Sequence, residues 1–290
     1  MCEIPKHFRP EAVSISTTFC KLPTKMFEIM YPSAQRRTFT VCIAPLYGPY
    51  DNVHELIHMI ELNRILGANY FSFYSYNISD QTNKVLNYYK DLGVVDNIEW
   101  DMPIPATKIH YYGQMAALND CLYRNRYKSQ YIVVQDVDEF IIPSRVKTWN
   151  DMMLDLPYGL NSYSFQSTQF SINLPDTDIE FQGKDTALKY RLTSLLKQKH
   201  GPVYDRTTRT KYIVDASRVA ELGIHNTWRL RPGSNGNECH VPPEDAVMFH
   251  YRKWFNEREI FTGKQNSRMM MYKDELVTNV IKIYKKLKLV

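Results

Sequence analysis

The chain has 290 residues, 44% of them hydrophobic, and a formal net charge of +5. That length and apolar content suit one large domain or two small ones around a real core. The charge is too mild for a nucleic-acid-binding surface, and no run of roughly 18 apolar residues provides a membrane span. The start, Met1-Cys2-Glu3-Ile4-Pro5-Lys6-His7, carries no signal-peptide apolar region. The expectation is a soluble intracellular protein, or one whose anchor lies outside this chain. Cys2, Cys20, Cys42, Cys121 and Cys239 include no Cys-x-x-Cys pair, so a structural zinc site is not expected. Asn77-Ile78-Ser79 is a lone glycosylation sequon and weak support for secretion.

Residues 1–37 read as an irregular lead-in, broken by Pro5, Pro10, Pro23 and Pro32. Residues 38–290 read as a single domain. Thr38 to Ala44 is the first strand, followed by the loop Pro45-Leu46-Tyr47-Gly48-Pro49-Tyr50. Asp51 is a cap for a helix that carries Val53, Leu56, Ile57, Ile60 and Leu66 at helical spacing and stops at Gly67. Asn69 to Tyr74 is the second strand. Ser79 or Asp80 caps a second helix, with Val85, Leu86, Tyr89 and Leu92 on one face. Val94 to Trp100 is the third strand. A third helix shows Tyr112, Met115, Ala116, Leu118, Cys121 and Leu122 at three-and-four spacing. Cys42 and Cys121 thus fall in a strand and a helix, where both fit as core residues.

The fourth strand begins as the apolar, β-branched run Tyr131-Ile132-Val133-Val134 and emerges into Gln135-Asp136-Val137-Asp138-Glu139 before Phe140-Ile141-Ile142-Pro143 closes it. Strand alternating with helix over residues 38–140 predicts βαβ units and a mainly parallel α/β sheet. Beyond it, Ser162 to Phe170 alternates like a strand, residues 173–208 are polar and loop-rich, and Lys211 to Val214 and Ala246 to Phe249 are short strands. The last helix carries Met269, Tyr272, Leu276, Val280, Ile283 and Leu287 on one face and a basic end that suits the helix dipole.

Three clustered carboxylates repel one another at the end of a buried strand, and a divalent cation relieves that. Asp136 and Asp138 therefore read as a metal-binding Asp-x-Asp, placed where open α/β sheets hold their ligands. A second such pair, Asp176-Thr177-Asp178, follows Pro175 and no strand, and reads as a solvated loop. A competing motif lies in the first helix. His54-Glu55-Leu56-Ile57-His58 matches the His-Glu-x-x-His zinc-hydrolase pattern, with both imidazoles on one face. It lacks the continuation of the longer metzincin pattern, and no glutamate falls between Glu61 and Glu99. The expectation is that both histidines line the solvent side of their helix.

Several blocks together resemble glycosyltransferase family 92. They are Cys42-Ile43-Ala44-Pro45-Leu46-Tyr47 with Gly67-Ala68, and Gly113-Gln114 with Asn119-Asp120-Cys121-Leu122. Asp136 to Phe140 with Pro143 continues the match, as do Arg209 to Val214, Gly223-Ile224-His225 and Phe249-His250-Tyr251-Arg252. The resemblance spans roughly residues 38–272. It implies a GT-A-like fold, with a nucleotide-sugar-binding half at 38–143 and an acceptor-side half at 144–290. It also implies a metal-dependent, inverting transferase that moves a hexose, galactose above all, from a UDP-sugar to a glycan or glycoprotein. Family members are Golgi proteins with an N-terminal membrane anchor, and no such segment is expected within this chain.

On that reading Asp136, Asp138 and His250 hold Mn²⁺ or Mg²⁺, and oxygen ligands with one imidazole favour Mn²⁺ over Ca²⁺. Arg209, Lys211 and Arg252 are candidates for the diphosphate, and Pro45 and Tyr47 for flanking the uracil. His225 and Trp228 fit the acceptor side. Asp138 and Glu139 are the candidate catalytic carboxylates, although Glu139 should point away from its neighbour along an extended chain. Spacing does not identify the base, and Asp176, Asp178, Glu221 and Asp245 remain candidates. The alternatives are a zinc hydrolase using His54, Glu55 and His58, and a non-catalytic glycan- or nucleotide-binding protein.

Overall fold

The computed structural model describes residues 4–5, 7–18, 22–29, 31, 37–105, 108–234, 236–253 and 264–289. Cys2, Cys20 and Pro32 lie outside the described residues. The chain divides into two compact units, residues 1–35 and 36–290. In the first, Ala12–Val13 pairs antiparallel with Phe27–Glu28, and the Tyr31 hydroxyl donates to the Pro10 carbonyl at 2.6 Å.

The second unit opens with alternating strands and helices, as the apolar periodicity predicts. These are β1 (Arg37–Cys42), α1 (Val53–Leu66), β2 (Tyr70–Ser75), α2 (Asp80–Asp91), β3 (Val95–Glu99), α3 (Gln114–Asn125) and β4 (Ser129–Val134). Asn52, not Asp51, caps α1, because its Oδ1 accepts from the Glu55 amide at 3.2 Å. Asp51 instead accepts from the Ser79 hydroxyl, and Ser79 caps α2. Gly67 ends α1 at a φ of 121°, a conformation costly for any residue with a side chain.

The sheet is more mixed than the sequence suggests. Further strands are β5 (Glu139–Pro143), β6 (Ser162–Phe165), β7 (Ser167–Ser171), β8 (Lys199–His200), β9 (Lys211–Asp215), β10 (Val219–Leu222), β11 (Thr227–Leu230), β12 (Glu238–Val241), β13 (Ala246–Arg252) and β14 (Lys264–Gln265). A seven-stranded sheet runs β12-β6-β9-β4-β1-β2-β3. Its β4-β1-β2-β3 portion is parallel, whereas β9 is antiparallel to both β4 and β6. A five-stranded sheet runs β14-β8-β7-β13-β5, and β10 pairs with β11.

The apolar run 131–143 is therefore two strands in two sheets. The chain leaves the first sheet at Val134, turns through Asp136 to Asp138, and enters the second at Glu139. Residues 162–170 split in the same way around Gln166, whose carbonyl accepts from the Met248 amide at 2.8 Å. Side chains alternate strictly across the large sheet. Phe39, Val41, Tyr131, Val133 and Ile213 enter the larger core, and Cys42, Ile132, Val134, Tyr212 and Val214 enter a second one with α3. Helix α1 packs in the larger core and is buried almost all round, with stacking between His54 and Tyr284 of the last helix, Lys273–Leu287. Cys42 and Cys121 are core residues, and they are also joined in a disulfide that ties β1 to α3.

Candidate active site

Strands β1 and β4 are neighbours; from β1 the chain passes through α1 to β2 on one side, and from β4 it leaves for the second sheet, which makes the gap at their carboxyl ends a topological switch point. A cavity of about 690 Å³ opens there. The loop after β1 forms one wall through Ala44, Pro45, Tyr47 and Tyr50, and His110, Tyr111 and Gln114 close it from the side. Asp136 to Glu139 form the floor, and Arg209, Ile224, His225, His250, Arg252 and Lys253 the far wall. Tyr111, Tyr112 and Arg209 hold left-handed φ values of 41°, 54° and 50°. Such conformations cost roughly 1–3 kcal/mol each in non-glycine residues and collect at binding sites. Tyr47 stacks on Tyr112 with ring centres 4.1 Å apart.

The carboxylates form two linked groups. The Lys211 ammonium lies 2.8 Å from Asp136 Oδ2 and 3.1 Å from Glu139 Oε2. The Asp136 amide donates to Glu139 Oε2 at 2.9 Å, closing the turn. Burial raises the carboxyl of Asp136, but the Lys211 charge and hydrogen bond, together with the nearby His250 and His225, outweigh it and hold it below the ordinary carboxylate range. Burial raises Glu139, against the pull of Lys211 and with the push of the Asp136 charge. Lys211 is raised above an ordinary lysine, because the two carboxylates outweigh its burial.

The second group centres on His250. Its Nε2 stands 3.2 Å from Asp138 Oδ2, and its Nδ1 stands 3.4 Å from Glu139 Oε1. Burial lowers this imidazole, but the Glu139 and Asp138 carboxylates outweigh it and raise it above an ordinary histidine. Glu139 reaches back past the turn to touch both groups, because Glu139 and His250 are direct partners in the antiparallel pairing of β5 with β13.

Among the described residues, no three His, Cys, Asp or Glu side chains are gathered so as to hold a metal ion. Two donors are placed for one. Ligands at about 2.0–2.1 Å and right angles around a small divalent ion stand about 3 Å apart, and Asp138 Oδ2 and His250 Nε2 are 3.2 Å apart. A metal-bound imidazole commonly gives its other nitrogen to a carboxylate, the place Glu139 occupies here. Ions such as Mg²⁺ are often held by few protein groups plus substrate phosphate. The residues fit a divalent ion on that pattern.

Of the residues singled out in the sequence, Pro45, Tyr47, Asp136, Asp138, Glu139, Arg209, His225, His250 and Arg252 all line the cavity. Lys211 is buried, 1% exposed, behind the two carboxylates it binds. His225 is fixed by its Nδ1, 2.9 Å from the Thr210 carbonyl oxygen. Trp228 is 61% exposed and packs over Gly223, where an added Cβ would stand 2.3 Å from its Nε1. Asp176 pairs with Lys197, Glu221 with Arg229, and Asp245 with Arg145. None of these three, nor Asp178, is among the cavity-lining residues.

The His-Glu-x-x-His helix departs from expectation. His58 does not face solvent: it is buried against Phe140, with Nε2 2.7 Å from the Ser194 hydroxyl. His54 bonds instead to the Tyr284 hydroxyl, so the two imidazoles serve different neighbours. Glu55 accepts from the Tyr50 hydroxyl at 2.8 Å. The sequence reading missed Tyr50, His110, Tyr111 and Lys253 as lining residues. Gln114, part of a block that resembles the family, also lines the cavity and donates to Asp136 Oδ1 at 3.5 Å. Gly113, left-handed at the start of α3, is the one local signal of a turn bringing this wall into place.

The sequence model of glycosyltransferase family 92 matches residues 37–286. The β-1,4-galactosyltransferase galt-1 of Caenorhabditis elegans is 25% identical over 259 residues, covering 88% of this chain and 58% of that protein. The galactan β-1,4-galactosyltransferase GALS3 of Arabidopsis thaliana is 28% identical over 152 residues, covering 51% of this chain and 28% of that protein. The chain thus spans little more than half, or less, of the curated relatives it matches. Among solved structures, S. aureus TarS 1-349 aligns at 11% identity and a TM-score of 0.38, covering 86% of this chain and 72% of that one.

Proposed function

This chain belongs to glycosyltransferase family 92, and we propose that it transfers a hexose, galactose first among the candidates, from a UDP-sugar to a glycan or glycoprotein acceptor with inversion. The relatives named as galactosyltransferases support the choice of sugar. The observation that carries the reading is the Asp138–His250 pair at the switch-point cavity, backed by Glu139 on the other imidazole nitrogen.

Asp138 and His250 would hold Mn²⁺ or Mg²⁺, with Asp136 beside them. When bound, such an ion supplies the positive charge that a departing nucleoside diphosphate requires. The Glu139 carboxylate stands 3.4 Å from His250 Nδ1, on the side of the ring away from Asp138. Arg209, Arg252 and Lys253 add positive charge around the cavity where a diphosphate would lie. The Pro45–Tyr47 wall, braced by the Tyr47–Tyr112 stack, presents an aromatic face for the uracil. His225 stands on the opposite side, towards the acceptor. The buried Cys42–Cys121 disulfide supports assembly in an oxidising compartment such as the Golgi lumen.

The test is a titration of purified protein with UDP-galactose, UDP-glucose and UDP-N-acetylglucosamine, with and without Mn²⁺. Transfer to glycan acceptors is then followed, with the anomeric configuration of the product read by NMR. Mn²⁺-dependent transfer from one UDP-sugar with inversion is expected. Nucleotide-sugar binding without turnover would favour a non-catalytic binding protein, and no binding of any UDP-sugar would end the reading.

A further inference from the structure

Lys211 is a lysine with 1% of its surface exposed, set beside the carboxylates that a metal would be expected to share. Its place is dictated by the fold. Strand β9 runs antiparallel to β4 with Tyr212 opposite Val134, so the residue before Tyr212 falls beside the turn that follows β4. The ammonium touches Asp136 Oδ2 at 2.8 Å and Glu139 Oε2 at 3.1 Å. Its ion pairs are with those two carboxylates, whereas Asp138 and His250 pair with each other. A buried charge is costly unless it is paired in good geometry, and this one is paired twice. A divalent ion seated on Asp136 Oδ2 would stand within a few ångströms of that ammonium, and the two cations would repel strongly at such a distance.

We propose that Lys211 is the permanent counter-ion of Asp136, so that a divalent ion entering the cavity is held by Asp138 and His250 and Asp136 takes no part in its coordination. The inference rests on the metal reading given above and specifies it. Lys211 is a positioning residue in this account. It fixes the turn that presents Asp138, and it leaves the cation bound by two protein groups, with its remaining positions open to diphosphate and water.

The experiment is a Mn²⁺ titration without nucleotide, followed by loss of the free aqueous Mn²⁺ EPR signal, on wild type, Lys211→Met, and Lys211→Met with Asp136→Asn. Methionine keeps the length of the side chain and removes its charge. Freed from its lysine, Asp136 becomes a third ligand, and added ligand charge tightens such sites. Lys211→Met is expected to bind Mn²⁺ at least about tenfold tighter than wild type. The double variant should return to within about threefold of wild type.

Equal or weaker binding by Lys211→Met overturns the proposal, as does a gain that survives Asp136→Asn. Mn²⁺ bound by none of the three proteins overturns it as well. If Lys211→Met is recovered unfolded, it is refolded with Mn²⁺. Return of the native circular dichroism supports the proposal, and continued failure shows that a divalent ion cannot stand in for the ammonium and overturns it. UDP binding by wild type in the same buffer keeps the two readings apart. Intact UDP binding with no lysine effect sinks this inference alone, whereas absent UDP binding sinks the glycosyl-transfer reading.

Discussion

His250 Nε2 stands 3.2 Å from Asp138 Oδ2 across a separation of 112 residues. The pairing of β5 with β13 brings them together, and the Tyr251 amide donates to the Asp138 carbonyl at 2.9 Å, locking the turn to the neighbouring strand. If both side chains serve one cation, removing either should damage the same function. Asp138→Asn is expected to weaken Mn²⁺-dependent UDP binding and to lower transfer by on the order of 100-fold. His250→Ala should cost less, since water can take its place. The double variant should lose much less than the two single losses combined, because both act through one ion. Full additivity in that cycle, or Mn²⁺ dependence unchanged in His250→Ala, would remove His250 from the site.

The disulfide between Cys42 and Cys121 closes a separation of 79 residues that holds α1, β2, α2 and β3. Cross-links over loops of that size typically stabilise by about 2–4 kcal/mol. Reduction with a strong thiol, or Cys42→Ala with Cys121→Ala, is expected to lower Tm clearly. Ala44 and Gln114 line the cavity a few residues from the two half-cystines, so UDP binding should weaken as well. Mass spectrometry of the untreated protein that finds both thiols free would contradict the arrangement.

Much of the parallel core is legible in the sequence, because its strands are short apolar runs between capped helices, and each helix stops at a glycine or a change in period. The Asp-x-Asp was legible because it ends such a run. What the sequence hides is pairing at a distance. Phe140-Ile141-Ile142 looks like the continuation of Tyr131-Ile132-Val133-Val134, and only β13 alongside it reveals a second sheet. Lys211 reads as a candidate for the diphosphate until β9 sets it beside Asp136. Cys42 and Cys121 show no motif spacing, since tertiary packing alone brings them together. His58 reads as solvent-facing because parallel-sheet helices usually show one polar side, whereas α1 is covered by the last helix and the short helix Thr193–Leu196 as well.

Val133 tests the architecture. It is fully buried between Val41 of β1 and Ile213 of β9. Val133→Asp places an unpaired charge in the larger core, one of the few single changes expected to exceed about 4 kcal/mol. The variant should be insoluble or show no cooperative melt by circular dichroism. A soluble protein melting within a few degrees of wild type would contradict the central position of β4.

His58 sets a pH limit on the fold. Burial pushes its imidazole down to about 3, against an ordinary value of 6.5. The unfolded chain therefore takes up a proton below pH 6.5 that the folded chain refuses until near pH 3. Stability from the neutral, buried ring is fully present above the unfolded value and is lost as pH falls through this window. The slope is about 1.4 kcal/mol per pH unit for one such group. His58→Gln keeps a partner for the Ser194 hydroxyl and carries no titrating proton. Its Tm at pH 7.5 should lie somewhat below wild type, because the amide fills the space less well. Between pH 6.5 and pH 4 its Tm should fall less steeply than that of wild type, and the two curves should converge. Denaturant midpoints over the same range give an independent measure of the slope. Parallel Tm curves from pH 7.5 to pH 4 would mean that His58 is not the buried neutral group its contact with Ser194 and Phe140 makes it here.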